Sequence, residues 1–448
     1  MTNPLKTLWT VLTRERGRRV VPRRRRKKER GIALVMVMIA ISITLVISNQ
    51  FGTTTNVDMM AAANYRDQMR AHFLARSALN LSELVIRIQQ RLDNSKEFRG
   101  VVQITDFADQ IMLAFCGGAE EVQAAVGFSP GDVKGLGADI GVCGLNNQIQ
   151  TEDAKINLNC ANGNDATAAT LKSALDALVF FPAYDPVFEE SDAENYRRDR
   201  TTQVSALMDY IDTNSLKNRE RGTTEDYGYE SLKDPYRMKG NYVDSVGELK
   251  LVRGVDDRFW TLFGSAFTVY GACKTNLSAL SNTQLIAAIL YLAAKNPADP
   301  LLLAPQKLFA LAGLVAKSKQ FGMTFSNLDD FIDFVKDPGA SVGGMLTGAG
   351  SGGASAATSA VNQLTGGEKL GMELDKTKLG QIATAGPRRT YRLEAYGEIE
   401  RKQKNADGSP VYPPIRATIN GVWDTKVVNQ NARKTPQPNG AWVFLREE

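Results

Sequence analysis

An uncharged stretch, residues 32–57, directly follows a dense basic block and constrains this chain more than any other feature of its sequence. Its most apolar part, residues 32–47, is about 24 Å long as a helix at ~1.5 Å per residue, and the residues up to Phe51 extend it towards an interface. The sequence therefore predicts one membrane-spanning helix. Because the Lys and Arg cluster stands on its N-terminal side, we expect that end in the cytoplasm and the remainder of the chain facing outward.

The basic character of the chain is confined to this N-terminal block. Residues 1–31 contain twelve Lys or Arg and two Glu, a net of +10 in a chain whose formal charge is +5, so the remainder carries about −5. This balance does not suggest a nucleic-acid partner for the main body.

The composition argues against an enzyme. The chain has one histidine, His72, so a Ser-His-Asp or Cys-His arrangement would need that residue, and His-rich zinc sites are excluded. No glycine loop has the flanking strand, lysine and helix that a phosphate site needs. We expect no catalytic chemistry and expect His72 to be an ordinary helix residue.

A single glycine, Gly31, separates the basic block from the apolar stretch. A secretory signal peptide would instead need a small-residue cleavage site after the apolar run, and the segment SNQFGTTTN offers none. The arrangement resembles the prepilin leader, which a dedicated peptidase cuts after the glycine before methylating the new N-terminus. The resemblance implies cleavage after Gly31 and a mature chain that begins at N-methylated Ile32. Its fifth residue, where most pilins have glutamate, is Met36.

The pattern after the anchor predicts a long helix and then an α+β head. Residues 32–99 contain no proline and one glycine, and apolar residues recur at helical spacing at Leu81, Leu84, Val85, Ile88 and Leu92. A short strand is expected at KINLN, residues 155–159, followed by a mainly helical region to about residue 336. Residues 338–367 are a Gly/Ser/Ala-rich loop, and the alternating C-terminal segments predict three antiparallel strands.

Several internal motifs together resemble the K component, the large minor pseudopilin, of type II secretion systems. They are Asn157-Leu158-Asn159 with Asn276-Leu277, Asp209-Tyr210-Ile211-Asp212, Pro235-Tyr236-Arg237-Met238-Lys239, and residues 245–255 (SVGELKLVRGV). The resemblance implies a pilin-like head, built from a long helix and an antiparallel sheet, into which an all-helical domain is inserted. Members of that family also lack the fifth-position glutamate, in agreement with Met36.

The resemblance divides the chain into six parts and implies a function. The parts are a leader (1–31), a transmembrane and filament-core helix (32–57), the stem and first part of the head (58–165), an inserted helical domain (166–337), a Gly/Ser-rich loop (338–370) and the C-terminal strands (371–448). The implied function is to cap the pseudopilus tip and start its assembly for protein export. The implied location is the bacterial inner membrane, with a periplasmic head. The implied partners are the I- and J-type minor pseudopilins, the major pseudopilin, the inner-membrane assembly platform and the prepilin peptidase.

Acidic and amide side chains form a candidate metal site. They are Asp209, Asp212 and Asn214, together with Glu225 and Asp226. Hard oxygen ligands of this kind suit Ca²⁺, which takes six to eight of them, and calcium in this domain is also what the family resemblance implies. The alternative is a solvated acidic loop beside a helix cap.

The chain has four cysteines, Cys116, Cys143, Cys160 and Cys273. No two of them form a C-x-x-C pair, so a zinc knuckle is not expected. An even number in an outward-facing domain favours disulfides. Since Cys160 and Cys273 flank two similar segments, we pair them with each other and Cys116 with Cys143. This is one of three connectivities, and buried free thiols are the alternative.

Three other function classes remain open from the sequence, and a membrane-bound enzyme has the least support among them. A minor pilin of a type IV pilus shares the leader but predicts no helical insertion. A DNA-binding membrane protein would use residues 245–255 as half of a helix-hairpin-helix, but the second glycine is replaced by acidic residues, Asp256 and Asp257, which repel phosphate.

Overall fold

The computed structural model describes residues 31–95, 103–116, 141–191, 199–214, 225, 227–318, 324–339, 341, 370–400, 412–427 and 440–448. The chain forms two compact units, Met1–Arg66 and Asp67–Glu448. The first helix contributes to both units.

The helices and strands follow each other in the order expected for an insertion. The helices are α1 (Ile32–Asn94), α2 (Ala108–Cys116), α3 (Asp165–Val179), α4 (Asp185–Glu189), α5 (Arg200–Ile211), α6 (Asp257–Phe263), α7 (Thr283–Ala293), α8 (Pro300–Leu303), α9 (Pro305–Lys317), α10 (Leu328–Lys336) and α11 (Lys376–Ile382). The strands are β1 (Val142–Leu145), β2 (Gln150–Thr151), β3 (Ile156–Asn157), β4 (Phe267–Thr268), β5 (Thr275–Asn276), β6 (Ala383–Thr384), β7 (Thr390–Ile399), β8 (Ile415–Asp424) and β9 (Ala441–Glu447).

The first unit contains the apolar part of α1. Its large side chains are exposed, and α1 is the described helix that is long and apolar enough to cross a membrane. The hydroxyl groups of Ser42 and Thr44 donate hydrogen bonds to carbonyls one turn earlier in the helix, at 2.8 and 2.7 Å. These two hydroxyl groups are therefore satisfied within the helix, as a hydrocarbon environment requires.

The second unit contains an antiparallel sheet against which the rest of α1 packs. The strand order is β1–β7–β8–β9, and β2 also pairs with β7. The three C-terminal strands confirm the sequence prediction. The contribution of residues 142–151 to the same sheet was not predicted, because these strands are too short to show a period.

The face of α1 that meets the sheet coincides with the predicted stripe only in part. Val85 is buried and Leu81 packs against the core, whereas Leu84 and Ile88 are 52% and 41% exposed. Further towards the N-terminus the buried residues are alanines, Ala71, Ala75 and Ala78. The backbones approach closely there, since a Cβ placed on Gly397 of β7 would lie 2.1 Å from the carbonyl oxygen of Ala71, so small residues occupy that contact.

The inserted region consists of two similar halves. Each half begins with a short strand, continues through an Asn-capped 3₁₀ turn and an Asn-capped helix, and ends in a strand parallel to the first. In the first half β3 pairs with β4, and α3 is capped by Asn164. In the second half β5 pairs with β6, and α7 is capped by Asn282. The predicted strand at 155–159 is thus only two residues long and continues as the 3₁₀ turn Leu158–Asn162.

Two separate apolar cores result. One lies between α1, α2 and the sheet, and the other fills the insertion around α7, which contacts α3, α9 and α11. This confirms the predicted fold class, a pilin-like helix and sheet with a helical insertion. Most of the predicted Gly/Ser-rich loop lies outside the described residues. Residues on either side of that loop lie together, because the amide of Met372 donates to the carbonyl of Val335 at 3.2 Å.

A buried carboxylate, Glu152, ties the insertion to the sheet. It is fully buried and accepts hydrogen bonds from Thr268 of β4, from Lys155 and from Arg392 of β7. Burial by itself raises the pKa of Glu152, but the two cations outweigh burial and lower it. The charged form is therefore favoured, and it joins both parts of the head.

Candidate metal centre

Three carboxylates converge beside the end of helix α5. One oxygen of each of Asp209, Asp212 and Glu225 lies within 4.8 Å of the others. Asp209 and Asp212 are almost completely buried, with 1% and 2% of their surface exposed. Two residues predicted from one motif and one from a separate segment are thus brought together.

Local structure explains how α5 positions its two carboxylates. The helix begins at an Asp199 cap, whose side chain accepts from the amide of Thr202, and ends at Ile211. Asp209 lies in the last turn, and Asp212 is the extended C-cap residue, so both project at the same end of the helix. A helix C-terminus carries partial negative charge, which further disfavours two carboxylates without a cation.

Neighbouring groups fix the geometry of this end. The hydroxyl of Tyr227 donates to Oδ2 of Asp209 at 2.6 Å, and the amide of Asn162 donates to the carbonyl of Ile211 at 2.8 Å. The amide of Gly240, a residue with φ of 53°, donates to the carbonyl of Tyr210 at 3.1 Å. Sequence patterns gave no signal for Tyr227 or Asn162, since neither belongs to a periodic or acidic cluster.

The electrostatics of the cluster are those of a cation site. Burial, followed by the charges of Asp212 and Asp209, raises the pKa of Glu225 to about 7. All three causes act in the same direction, so the charged form of Glu225 is disfavoured in the metal-free protein. A bound cation would reverse this balance.

The donor set suits a hard cation such as Ca²⁺. Oε1 of Glu225 and Oδ1 of Asn162 are buried and have no hydrogen-bond partner among the described residues. Carboxylate and amide oxygens are the ligands that Ca²⁺ prefers, whereas the cluster contains no nitrogen or sulfur donor of the kind that Zn²⁺ uses. The residues present are therefore compatible with calcium.

The other two predicted ligands have different outcomes. Asn214 is adjacent to the cluster and donates from Nδ2 to Oδ2 of Asp212, so it orients that carboxylate. Asp226 lies outside the described residues.

The remaining motifs of the insertion hold its structure together. Asn159 accepts from the amide of Val243 and donates to the carbonyls of Val243 and Val269, at 2.9 to 3.2 Å. Lys239 forms an ion pair with Glu248, which in turn completes a capping box at Ser245. Asn159 thus connects segments of the insertion that are far apart in sequence, whereas the contacts of Lys239 and Ser245 are local.

Residues 245–255, considered above as half of a DNA-binding helix-hairpin-helix, are arranged differently from a phosphate-binding turn. Residues Val246–Leu251 form a 3₁₀ helix, and the carboxylate of Asp256 accepts from the amide of Phe259 at the start of α6. A carboxylate therefore already occupies the helix N-terminus, where a phosphate would have to bind.

Both cysteine pairs are disulfides. Cys116 is bonded to Cys143, and Cys160 is bonded to Cys273, with Cα–Cα distances of 4.8 and 5.7 Å. The second bond joins the starts of the two halves of the insertion. It closes the whole first half into one loop.

At the N-terminus, α1 begins at Ile32, directly after Gly31. Met36, at the position where pilins have glutamate, is 68% exposed. Cleavage after Gly31 stays a prediction.

Comparisons with known proteins agree with the motifs. Residues 154–270 match the family model for type II secretion system (T2SS) protein K, and all the motifs except Asn276-Leu277 lie within that range. Among solved structures the chain is similar to a chain of the GspK-GspI-GspJ complex from the enterotoxigenic Escherichia coli type 2 secretion system. The identity is 13% and the TM-score 0.43, over 87% of this chain and 99% of that one. No curated protein sequence matches the chain.

Proposed function

We propose that this chain, a minor pseudopilin of the type II secretion protein K family, caps the pseudopilus tip and starts its assembly. The observation that carries the proposal is the K-family domain at residues 154–270, which is inserted between an exposed apolar helix and an antiparallel sheet. Structural assembly accounts for all of these parts.

Met36 supports the proposed position at the tip. In a pilin filament a glutamate at the fifth mature position pairs with the N-terminal amine of a neighbouring subunit. A methionine side chain cannot neutralise that amine, and an unpaired charge in an apolar filament core is costly. A subunit with Met36 is therefore best accommodated where no such neighbour has to be paired, at the first position of the filament.

The proposed location is the inner membrane, with the head in the periplasm. The basic block of the leader supports cytoplasmic retention of the N-terminus before processing at Gly31. The two disulfides of the head support an oxidising compartment. The partners in assembly are the I- and J-type minor pseudopilins, the major pseudopilin, the assembly platform and the prepilin peptidase.

Calcium is part of the proposal. Asp209, Asp212 and Glu225 would hold the ion, which would neutralise their mutual repulsion and fix the chain around residue 225 to the end of α5. The ion would act in the stability of the head, not in chemistry.

Two measurements test the proposal. The mature chain isolated from its membrane should begin at N-methylated Ile32, and an N-terminal peptide mass would show this. In purified pseudopili, the molar ratio of this chain to the major pseudopilin should fall as filament length rises, because a tip has one position regardless of length. A ratio independent of length would place the chain in the shaft and refute the tip assignment.

A further inference from the structure

We infer that the disulfide Cys160–Cys273 is an externally reducible latch on the metal centre, so that opening this bond weakens the binding of the cation. This inference rests on the calcium site of the proposed function. Two observations carry it: the bond begins in the 3₁₀ turn that holds the end of helix α5, and Cys273 is open to solvent. The other disulfide, Cys116–Cys143, is buried in the second apolar core and serves as an internal control.

The turn Leu158–Asn162 connects the disulfide to the metal centre. Cys160 lies inside this turn, and the side-chain amide of Asn162, at its end, donates to the carbonyl of Ile211 at 2.8 Å. Ile211 is the last residue of α5 and directly precedes the candidate ligand Asp212. A displacement of the turn therefore disturbs the hydrogen bond beside this carboxylate.

The disulfide also encloses the metal centre in one covalent loop. All three carboxylates lie in the chain between the two cysteines, whose sequence separation is 113. An open loop has more conformations than a closed one, and bringing the carboxylates together around a cation costs that additional entropy. Reduction therefore lowers the affinity for the cation without removing any ligand.

Non-covalent contacts hold the insertion together when this bond opens. Asn159, next to Cys160, hydrogen-bonds to Val243 and Val269, and the parallel strand pairs β3–β4 and β5–β6 contain no cysteine. Opening the bond therefore lowers the stability of the insertion but leaves a framework in which the bond can close again.

Solvent access determines which disulfide an external thiol can reach. Cys273 is exposed, as are both of its neighbours in the chain, whereas Cys160 is 4% exposed. Cys116 and Cys143 are 0% and 3% exposed. Because an attacking thiolate must contact one of the two sulfur atoms, an external dithiol enters at Cys273.

The exchange has two steps. One thiolate of the dithiol attacks Sγ of Cys273, forms a mixed disulfide with it and expels the sulfur of Cys160, which takes up a proton. The second thiol of the reductant then loses its proton and displaces the sulfur of Cys273, which is protonated in turn. The protein thus gains two electrons and two protons, and the dithiol is oxidised to a disulfide.

The first experiment measures access, with dithiothreitol as the reductant and the full-length chain in mild detergent. Alkylation followed by peptide mass spectrometry reports which cysteines have opened. Under native conditions we expect Cys160–Cys273 to open at least about tenfold faster than Cys116–Cys143. In denaturant, where burial no longer protects either bond, the two should open at similar rates.

The second experiment measures the coupling, with Ca²⁺ alone as the ligand. Calorimetric titration of the oxidised chain and of the chain kept in dithiothreitol should give a Kd about tenfold higher for the reduced form. The double variant Cys160→Ser, Cys273→Ser should bind like the reduced form and should not respond to dithiothreitol.

Thermodynamic linkage adds a measurement that needs no variant. In a buffer of reduced and oxidised dithiothreitol, saturating calcium should shift the equilibrium of Cys160–Cys273 towards the disulfide by the same factor, about tenfold. The equilibrium of Cys116–Cys143 should not change.

The outcomes separate the inference from the function on which it rests. Equal calcium affinity of the oxidised and the reduced chain, or equally rapid opening of both disulfides in the native chain, would overturn the inference and leave the calcium site standing. An oxidised chain that does not bind calcium would count against the calcium site itself, and the inference would fail with it.

Discussion

Replacing Glu225 by glutamine tests the metal centre, because the change removes one charge and very little volume. In the metal-free protein Glu225 has a pKa of about 7 in place of its ordinary 4.5, first because of burial and then because of Asp212 and Asp209. Below about pH 4.5 it is neutral in both the folded and the unfolded chain. Above about pH 7 it is charged in both, and its repulsion then opposes folding in full.

The size of the effect follows from this shift. A change from 4.5 to about 7 corresponds to about 3.4 kcal/mol at ~1.36 kcal/mol per pKa unit. Glu225 is only partly buried, and screening by solvent reduces the cost to about 1–2 kcal/mol. Without metal at about pH 8.5, we therefore expect Glu225→Gln to stabilise the head by about 1–2 kcal/mol, or about 1–3 °C in melting temperature.

Calcium should reverse the sign of this effect. An ion at a concentration of 100 times its Kd stabilises the protein to which it binds by about 2.7 kcal/mol. The parent chain should gain this stabilisation, and the glutamine variant, which lacks one charged ligand, should gain less. The same substitution is therefore expected to be stabilising in a chelator and destabilising in calcium.

The assay is thermal unfolding of the full-length chain in mild detergent, at about pH 5 and about pH 8.5, with chelator or with calcium. Glu230→Gln is the matched control, because Glu230 is exposed and lies outside the carboxylate cluster. It should change neither the calcium response nor the pH dependence. A parent chain whose melting temperature does not respond to calcium would refute the cation site. A Glu225→Gln variant that is equally destabilised with and without calcium would refute the repulsion argument.

Three further substitutions test the fold. Gly397→Ala should destabilise the head by about 3 kcal/mol or more in urea unfolding, since the added Cβ collides with the backbone of α1; Gly313→Ala, in a helix with nothing within 4 Å, should instead stabilise by about 0.5–1 kcal/mol. Replacing Cys160 and Cys273 together by serine should cost about 4–5 kcal/mol in the same assay, because the bond closes a loop with a sequence separation of 113, and a loss below about 1 kcal/mol would show that the loop is already ordered without it. Asn159→Ala removes three hydrogen bonds and should lower the free energy of unfolding by about 2–4 kcal/mol. An unchanged melting temperature would contradict the bridging role of Asn159.

The elements with long periodic patterns, and the orientation implied by the charge asymmetry, could be predicted from the sequence. The apolar stretch after the basic block predicted the first helix, and alternation predicted β7, β8 and β9. Both patterns repeat over enough residues to exceed chance. The internal motifs also pointed to the insertion through the resemblance that they carry, and Asn159 and Lys239 are two motif residues whose contacts hold it together.

The short strands and the buried face of α1 could not be predicted from the sequence. The strands β1 to β6 are two to four residues long, and they exist only because β7 or a parallel neighbour pairs with them. The buried face of α1 follows the predicted stripe only in part, because Val85 is buried whereas Leu84 and Ile88 are exposed. Periodicity finds the most apolar positions, but the close approach of Gly397 places small alanines against the sheet earlier in the helix.

The candidate metal centre also has a part that local sequence predicts and a part that depends on the tertiary structure. Asp209 and Asp212 were predicted from one motif, because three residues apart on a helix end is a local relation. The arrival of Glu225, the hydroxyl of Tyr227 and the amide of Asn162 depended on how the chain returns to α5. Local sequence thus determined the anchor, the strands β7 to β9 and two of the three carboxylates. Tertiary packing decided which residues of α1 are buried and how three carboxylates come to share one place, because those outcomes depend on contacts between residues far apart in the chain.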